Sequence, residues 1–337
     1  MFEQCKKIIT ELISRCQNGQ ETFHVITVFD DPYNIKAASG MIFPIEIADV
    51  ESGFICASTY YTGYKDFMSL KTDIEKNIFC NLNKKYLVYS TSQLGVDVDR
   101  RAYVPIFCKQ LGMDLLTCNA YQLGLLMDKS HYFSLLKSFL HIPKTITFLG
   151  NEMPQNIITT PYVILKPALE CAAVGVVKVE NRNNIIGKLV SDMYKKFNQK
   201  IIIQEYIDGY EVSVPVIEKS GKYIATPPVW VKFNGDILDY NKVDNCEYSF
   251  AVLPCQDFPY NEVIPLICKH AEQVMQFIGS RGLTRVDYRI KNVQEFYIFD
   301  IAALPVLANT GTCAQSFKAL FGNVESMFEA IIGSRLI

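Results

Sequence analysis

The stretch Tyr162-Val-Ile-Leu-Lys-Pro-Ala-Leu-Glu-Cys-Ala-Ala-Val-Gly-Val-Val-Lys178 sets a lysine at the end of an apolar run and follows it with a loop of small residues. Val163, Ile164 and Leu165 precede Lys166 and a proline follows it, so the pattern predicts a buried strand with a cation projecting from its end. A lysine so placed needs an anion, and a nucleotide phosphate is a suitable one. A structural ion pair is the plainer alternative. The loop Glu170-Cys-Ala-Ala-Val-Gly175 is small enough for backbone amides to approach phosphates, although small residues in a turn are ordinary.

Two stretches further along extend this reading. Ile201-Ile-Ile-Gln-Glu-Tyr-Ile-Asp-Gly-Tyr-Glu211 is an apolar strand that runs into polar and acidic residues. Such a strand suits an adenosine site, its backbone reading the base and Glu211 accepting from ribose hydroxyls; a solvated turn at Asp208-Gly209 is the competing reading. Thr284-Arg-Val-Asp-Tyr-Arg289 and Phe299-Asp-Ile-Ala-Ala-Leu-Pro305 predict two neighbouring strands separated by a turn around Asn292. In a hairpin Asp287 and Asp300 can face one point, as hard oxygen ligands for magnesium beside substrate phosphates. Strand alternation puts Arg285 on the face of Asp287, where a cation stabilises a transferring phosphoryl group or a tetrahedral intermediate. Half-exposed strand charges are the alternative here.

Composition sets the bounds. At 337 residues, 49% apolar and 20% charged, the chain is globular and long enough for two or three packed domains. A net charge of −2 without a basic block argues against a nucleic-acid partner. The 11 cysteines are scattered with no C-x-x-C pair, which reads as reduced thiols of a cytoplasmic protein. Met1 to Gly19 reads as an amphipathic surface helix, and no apolar run approaches the ~18 residues of a membrane span.

Apolar strands are expected at Phe23–Phe29, Phe54–Ser58 and Lys85–Ser90, with a helix over Pro105–Gly112, which together predict a small parallel α/β domain over about the first 120 residues. Gln122 to Leu140 has the period of one helix. Strands follow at Tyr162–Leu165, Val174–Val179, Ile201–Ile203, Val212–Val216, Tyr223–Val231 and Ser249–Leu253. Helices are expected over Lys188–Asn198 and Asn261–Ile278, and the two strands of the hairpin at Leu283–Arg289 and Gln294–Ile301.

With these pieces in order, the chain resembles the ATP-grasp superfamily, and within it the D-alanine–D-alanine ligase-like branch of carboxylate–amine ligases. The resemblance runs from about Gln122 to the C-terminus. It includes Met127-Asp-Lys129, similar to the family's Met-Asp-Lys helix start, and His141-Ile-Pro-Lys-Thr145, similar to its Ile-Pro link. It implies an α/β (α+β) fold of three domains, divided at 1–121, 122–207 and 208–337, with an N-terminal parallel α/β domain and two mixed domains sandwiching ATP. It also implies ATP and Mg2+ as cofactors, small-molecule carboxylate and amine substrates, no membrane, and a homodimer as the assembly common among relatives. By resemblance Lys129 and Lys166 bind the nucleotide phosphates and Glu170 joins the polar groups near the triphosphate. Gln204 sits near the adenine, with Glu205, Tyr206 and Ile207 on the hinge strand. Glu211 binds the ribose, and Lys242 in the lid completes the nucleotide set. Arg285 matches the arginine that steadies the intermediate, and Asp287 and Asp300 match two magnesium ligands.

The chain also departs from the family. Its last strand reads Asp300-Ile-Ala302-Ala-Leu-Pro305-Val306 where the family has Glu-x-Asn-x-x-Pro-Gly, so a metal-binding asparagine has become Ala302 and a substrate-facing glycine Val306. Asn309, Gln315 or Ser316 are candidates for replacement polar groups. Ile35, Ala172 and the shortened lid Asp239-Tyr-Asn-Lys-Val243 stand where the family links a glutamate, a serine and a tyrosine around the first substrate. Losing that group jointly leaves no buried partner orphaned. The expectation is an ATP-dependent ligase forming an amide through an acyl phosphate on an amino acid or small peptide other than D-alanine. An ATP-binding homologue with reduced or no ligase activity is the alternative, and a non-ligase phosphotransferase a third.

Overall fold

β1 (Phe23–Val28), β2 (Tyr61–Tyr64), β3 (Lys85–Ser90) and β4 (Asp114–Leu115) form a wholly parallel sheet in the order β2-β1-β3-β4. Parallel neighbours need crossovers, supplied by α2 (Pro44–Ala57), α3 (Phe67–Glu75) and α4 (Tyr103–Gln110). Helices on both faces explain why β1, Phe-His-Val-Ile-Thr-Val, is almost continuously buried rather than alternating. The computed structural model describes residues 2–30, 44–93, 97–139, 141–155 and 157–336.

The second sheet is antiparallel, with β5 (Thr145–Phe148), β6 (Tyr162–Pro167), β7 (Val177–Glu180) and β8 (Ile201–Glu205) in the order β5-β8-β6-β7. α7 (Asn183–Phe197) covers one face, setting Ile186 and Val190 against Val163, Leu165, Ile201 and Ile203. The third sheet runs β12-β11-β9-β13-β14 through β9 (Tyr210–Lys219), β11 (Val229–Phe233), β12 (Tyr248–Val252), β13 (Leu283–Ile290) and β14 (Phe296–Ala302), with β10 (Lys222–Ala225) paired to β9. α9 (Ile264–Ile278) packs Ile267, Ala271, Val274 and Met275 against Val212, Val214 and Val286.

We propose that the divisions at 121 and 207 separate three domains, since each segment holds one of these sheets. Two helix pairs stitch the segments together. α5 (Ala120–Met127) and α6 (Lys129–Leu135) give Leu123, Leu126, Tyr132 and Phe133 to the core of the third sheet. α10 (Thr312–Phe321) and α11 (Glu325–Gly333) give Phe317, Phe328 and Ile331 to the core under β1 and β3. α1 (Glu3–Gly19) closes that core with Ile9, Leu12 and Cys16. Among the described residues no helix is long and apolar enough to cross a membrane.

Several elements differ from the sequence reading. Phe54–Ser58, expected as a strand, lies in the last turn of α2 and the residue after it; a short apolar run cannot distinguish a buried helix turn from a strand. The helix expected over Gln122–Leu140 is broken at Asp128, whose extended backbone ends α5 while its carboxylate caps α6 through Ser130 N–H at 2.8 Å. The strand expected from Val174 begins at Val177 because Ala172, Ala173 and Gly175 all take positive φ. Tyr223–Val231 is two strands split at Pro227-Pro228, and the helix expected from Lys188 begins at Asn183. β2, α3, α10 and α11 have no counterpart in the sequence reading.

Candidate functional site

Lys166 reaches out of β6 into a cleft of about 300 Å3 between the second and third sheets. Its ammonium donates to Gln204 Oε1 at 2.9 Å and to the Phe299 carbonyl at 2.8 Å, and it is only 5% exposed. That carbonyl is available because the β13–β14 register slips after Asp287, leaving Phe299 outside the ladder. Burial pushes the Lys166 ammonium down to about 7, with Asp300 opposing the shift and Lys129 adding to it. Lys129, the first residue of α6, donates to the Glu170 carbonyl at 2.7 Å and lies 3.7 Å from Asp300 Oδ1. Two buried ammonium groups so close together would be costly without a compensating anion.

The small loop runs between these lysines. Lys129 N–H donates to the Ala168 carbonyl at 3.1 Å, and Arg100 donates to that of Leu169 at 2.8 Å. Glu170 accepts from Gln199 at 2.8 Å on one oxygen, while its Oε2 is buried without a partner among the described residues. Along β8 and beyond, Gln204, Glu205, Tyr206 and Ile207 line the cleft, with Gln204 Nε2 held by Thr145 at 3.0 Å. Glu211 starts the next wall from β9. Burial raises its carboxyl to about 7, and Arg289 pulls against that shift from 4.0 Å.

Asp287 and Asp300 are direct partners in the β13–β14 register. Arg285 Nε and Nη2 grip Asp287 through two bonds of 2.8 Å, and Ser213 donates to its Oδ1 at 2.7 Å. This fork-on-carboxylate pairing is the strongest geometry for such a pair. Burial opposes the Arg285 charge, but Asp287 outweighs it and raises the guanidinium pKa. Asp300 accepts from Tyr132 at 2.7 Å; burial would raise its carboxyl, and Lys129, Lys166 and Tyr132 together hold it below the usual range. Thr312, at the start of α10, lies 3.5 Å from Arg285 Nη1.

Residues 146–333 match the family model for the D-ala D-ala ligase C-terminus. The chain belongs to that family. A D-alanine--D-alanine ligase of Petrotoga mobilis is 25% identical over 271 residues, spanning 80% of this chain and 87% of the relative. The Bacillus anthracis D-alanine--D-alanine ligase complexed with ATP superposes with a TM-score of 0.67 at 15% identity, covering 92% of this chain and 96% of that one. The VanG D-Ala:D-Ser ligase of Enterococcus faecalis superposes with a TM-score of 0.67 at 15% identity, over 93% and 99% of the two chains. The fold is therefore the ATP-grasp fold, and membership brings ATP-dependent carbon–nitrogen ligation on small-molecule substrates.

Against this family the sequence-predicted residues fall into place unevenly. Lys129, Lys166, Glu170, Gln204, Glu205, Tyr206, Ile207, Glu211, Arg285, Asp287 and Asp300 all line the one cleft. Lys242 does not: it turns back to Asp239 at 2.5 Å within the short α8 (Tyr240–Asp244). Ala302 stands opposite Arg285 in the hairpin register. The candidate replacements do not fill its role. Asn309 is tied to Asp49 at 2.8 and 3.0 Å, and Ser316 is buried against the Pro227 carbonyl at 2.7 Å. Gln315 is absent from the lining; Thr310 and Thr312 take the polar places instead. Ile35 lies outside the described residues, while Ala172 lines the cleft. Arg289 escaped the sequence reading as a site residue, although it is two residues past Asp287 and alternation places it on the same face. It donates to the Gly209 and Asp236 carbonyls at 2.8 and 2.6 Å and so frames Glu211.

Proposed function

We propose that the chain is an ATP- and magnesium-dependent carboxylate–amine ligase whose carboxylate substrate is an amino acid or small peptide other than D-alanine. The observation that carries this reading is the convergence of Lys129, Lys166, Glu211, Arg285, Asp287 and Asp300 on one cleft. Lys129 and Lys166 hold the phosphates, and Glu211 accepts from the ribose hydroxyls. Gln204 to Ile207 flank the adenine. Asp287 Oδ2 keeps a free lone pair beside its Arg285 bond, and Asp300 Oδ2 has no bonded partner among the described residues. Two carboxylates with oxygens to spare fit magnesium, which takes one or two such ligands together with phosphate oxygens and water. When bound, the metal would neutralise charge on the phosphates.

The substrate carboxylate oxygen attacks the terminal phosphorus and ADP leaves. The amine then attacks the acyl carbon, loses a proton, and phosphate departs. Arg285, fixed by its two bonds to Asp287, stays aimed at the oxyanion that develops in this second step. Departure from D-alanine is supported by Ala172 in the small loop and by the shortened lid, both unlike the family pattern.

Ala302 and Val306 favour a second reading, an ATP-binding homologue with reduced or no ligase activity. Ala302 puts a methyl group at a metal-ligand position, and Val306 projects 43% exposed into the cleft mouth. Losing ~4 kcal/mol of transition-state stabilisation slows a reaction about 10³-fold. One experiment separates the readings: ADP release from Mg-ATP with and without pooled amino acids and dipeptides, with products weighed by mass spectrometry. The ligase reading expects stimulated ADP release matched by a new amide. Tight ATP binding without turnover in any pool supports the second reading.

A further inference from the structure

The carboxyl end of β3 and the turn after it leave polar atoms buried and unpaired among the described residues. Tyr89 Oη, Thr91 Oγ1 and Arg101 Nε have no hydrogen-bond partner among the described residues, and Tyr89 and Thr91 are 3% and 8% exposed. Buried polar groups in folded proteins are nearly always paired, so this concentration of free donors needs an explanation. Tyr89 and Thr91 lie two residues apart and point to the side of the sheet covered by α2, where Tyr89 packs on Phe54 at 5.2 Å between ring centres. Glu46, in the first turn of α2, faces the same space. Burial raises its carboxyl, and Arg101 and the Leu307 N–H pull against that shift, with no ion pair to Arg101 among the described residues. Tyr89 in turn feels Glu46, Arg101 and Cys313 of α10. Asp30, the other carboxylate near Arg101, is already engaged by Ser92 at 2.7 Å and by the Gln93 N–H.

Three ties place this cluster at the phosphate end of the cleft. Arg100, adjacent to Arg101, donates to the Leu169 carbonyl in the small loop. Asn309 bonds Asp49 of α2 from the loop whose Val306 and Thr310 line the cleft. Thr312 touches Arg285 on one side while the next residue, Cys313, lies by Tyr89 on the other.

We infer that Glu46, Tyr89, Thr91 and Arg101 seat the substrate whose carboxylate is activated, and that they select an α-amino acid whose side chain carries a second carbonyl group, a carboxylate or a carboxamide. The inference rests on the ligase reading. Among the described carboxylates here, Asp30 is engaged by Ser92 and Asp49 by Asn309, which leaves Glu46 for an ammonium. The Arg101 guanidinium and the two hydroxyls donate to the side-chain oxygens, while the reacting carboxylate lies towards Arg285. Alanine would leave the three donors without acceptors, and a site built to hydrogen-bond a group rejects analogues lacking it by up to ~10⁴-fold.

The test compares kcat/KM for ADP release at saturating Mg-ATP with single amino acids. Both enantiomers of aspartate, glutamate, asparagine, glutamine and alanine are used. The acidic or amide residues should exceed alanine by at least ~10²-fold, and the better pair tells carboxylate from carboxamide. Arg101→Leu should cut that ratio at least about tenfold with the ATP Kd unchanged. Tyr89→Phe, which removes only a hydroxyl, should narrow it in the same direction and serves if Arg101→Leu does not fold. Alanine matching the best substrate, or both variants keeping the wild-type ratio, overturns the inference and leaves the ligase reading standing. ATP binding without stimulation by any of these amino acids overturns the inference, and silence with the pooled amino acids and dipeptides as well overturns both.

Discussion

Arg285, Asp287 and Ser213 form a fixed unit: two guanidinium bonds and one hydroxyl bond converge on a carboxylate that is 4% exposed. Asp287→Asn keeps the shape but removes the negative charge and one of the acceptors that aim Arg285. Turnover should fall by at least ~10²-fold, the scale of losing one stabilising donor at a reacting oxyanion. Steady-state ADP release reports this, and a thermal melt shows that the variant is folded; unchanged turnover would remove Asp287 from the site. Lys166 carries a pH signature. Its ammonium titrates near 7 in the free protein because of burial. A bound phosphate raises that value, so at pH 8 ATP binding should take up a proton and affinity should fall as pH rises above 7. Calorimetry at pH 8 in two buffers of different ionisation enthalpy measures the uptake, and Lys166→Met should abolish it. Lys166 was legible because it ends an apolar run, and Arg285 and Asp287 because alternation puts them on one face of a hairpin strand. Arg289 was equally legible by alternation from Arg285 and Asp287, but three charges on one strand face also describe a solvated edge.

At the scale of elements, the sheets were read more surely than the helices between them. β6, β8 and β9 carry apolar runs that stop at polar or charged residues, and β13 alternates apolar residues with Arg285, Asp287 and Arg289; all four are largely buried. Apolar spacing continues across Asp128 and so hides the break between α5 and α6, which only the resemblance of Met127-Asp-Lys129 to a helix start signalled; the cap at Ser130 and the Lys200–Asp128 pair at 2.6 Å fix it. α10 and α11 escaped notice since their partners, α1 and β1, lie some three hundred residues away in sequence. The packing of α1 on α11 is tight enough to test. A Cβ on Gly333 would sit 1.9 Å from the Leu12 carbonyl oxygen, which backbone atoms cannot yield without parting the helices. Gly333→Ala should therefore cost about 1–3 kcal/mol of stability, read from the urea midpoint. An unchanged midpoint would mean that the two helices do not cross so closely.

For the molecule as a whole, the three sheets divide the work. The second and third sheets form the walls of the cleft, and the parallel first sheet meets it through the Arg100 bond to the Leu169 carbonyl and the Asn309–Asp49 bonds. Lys178 crosses the cleft to Asp236 at 2.7 Å, lying 3.9 Å from the Tyr206 ring centre. On the proposed reading a carboxylate meets the terminal phosphate between Arg285 and the two lysines, all of which line the cleft. The most direct test of that meeting is an oxygen-transfer measurement. The protein is incubated with Mg-ATP, an amine and amino acids whose carboxylates carry 18O, and the inorganic phosphate is analysed by mass spectrometry. Activation through an acyl phosphate predicts one 18O in each phosphate released with ADP; unlabelled phosphate accompanying ADP release would contradict the account.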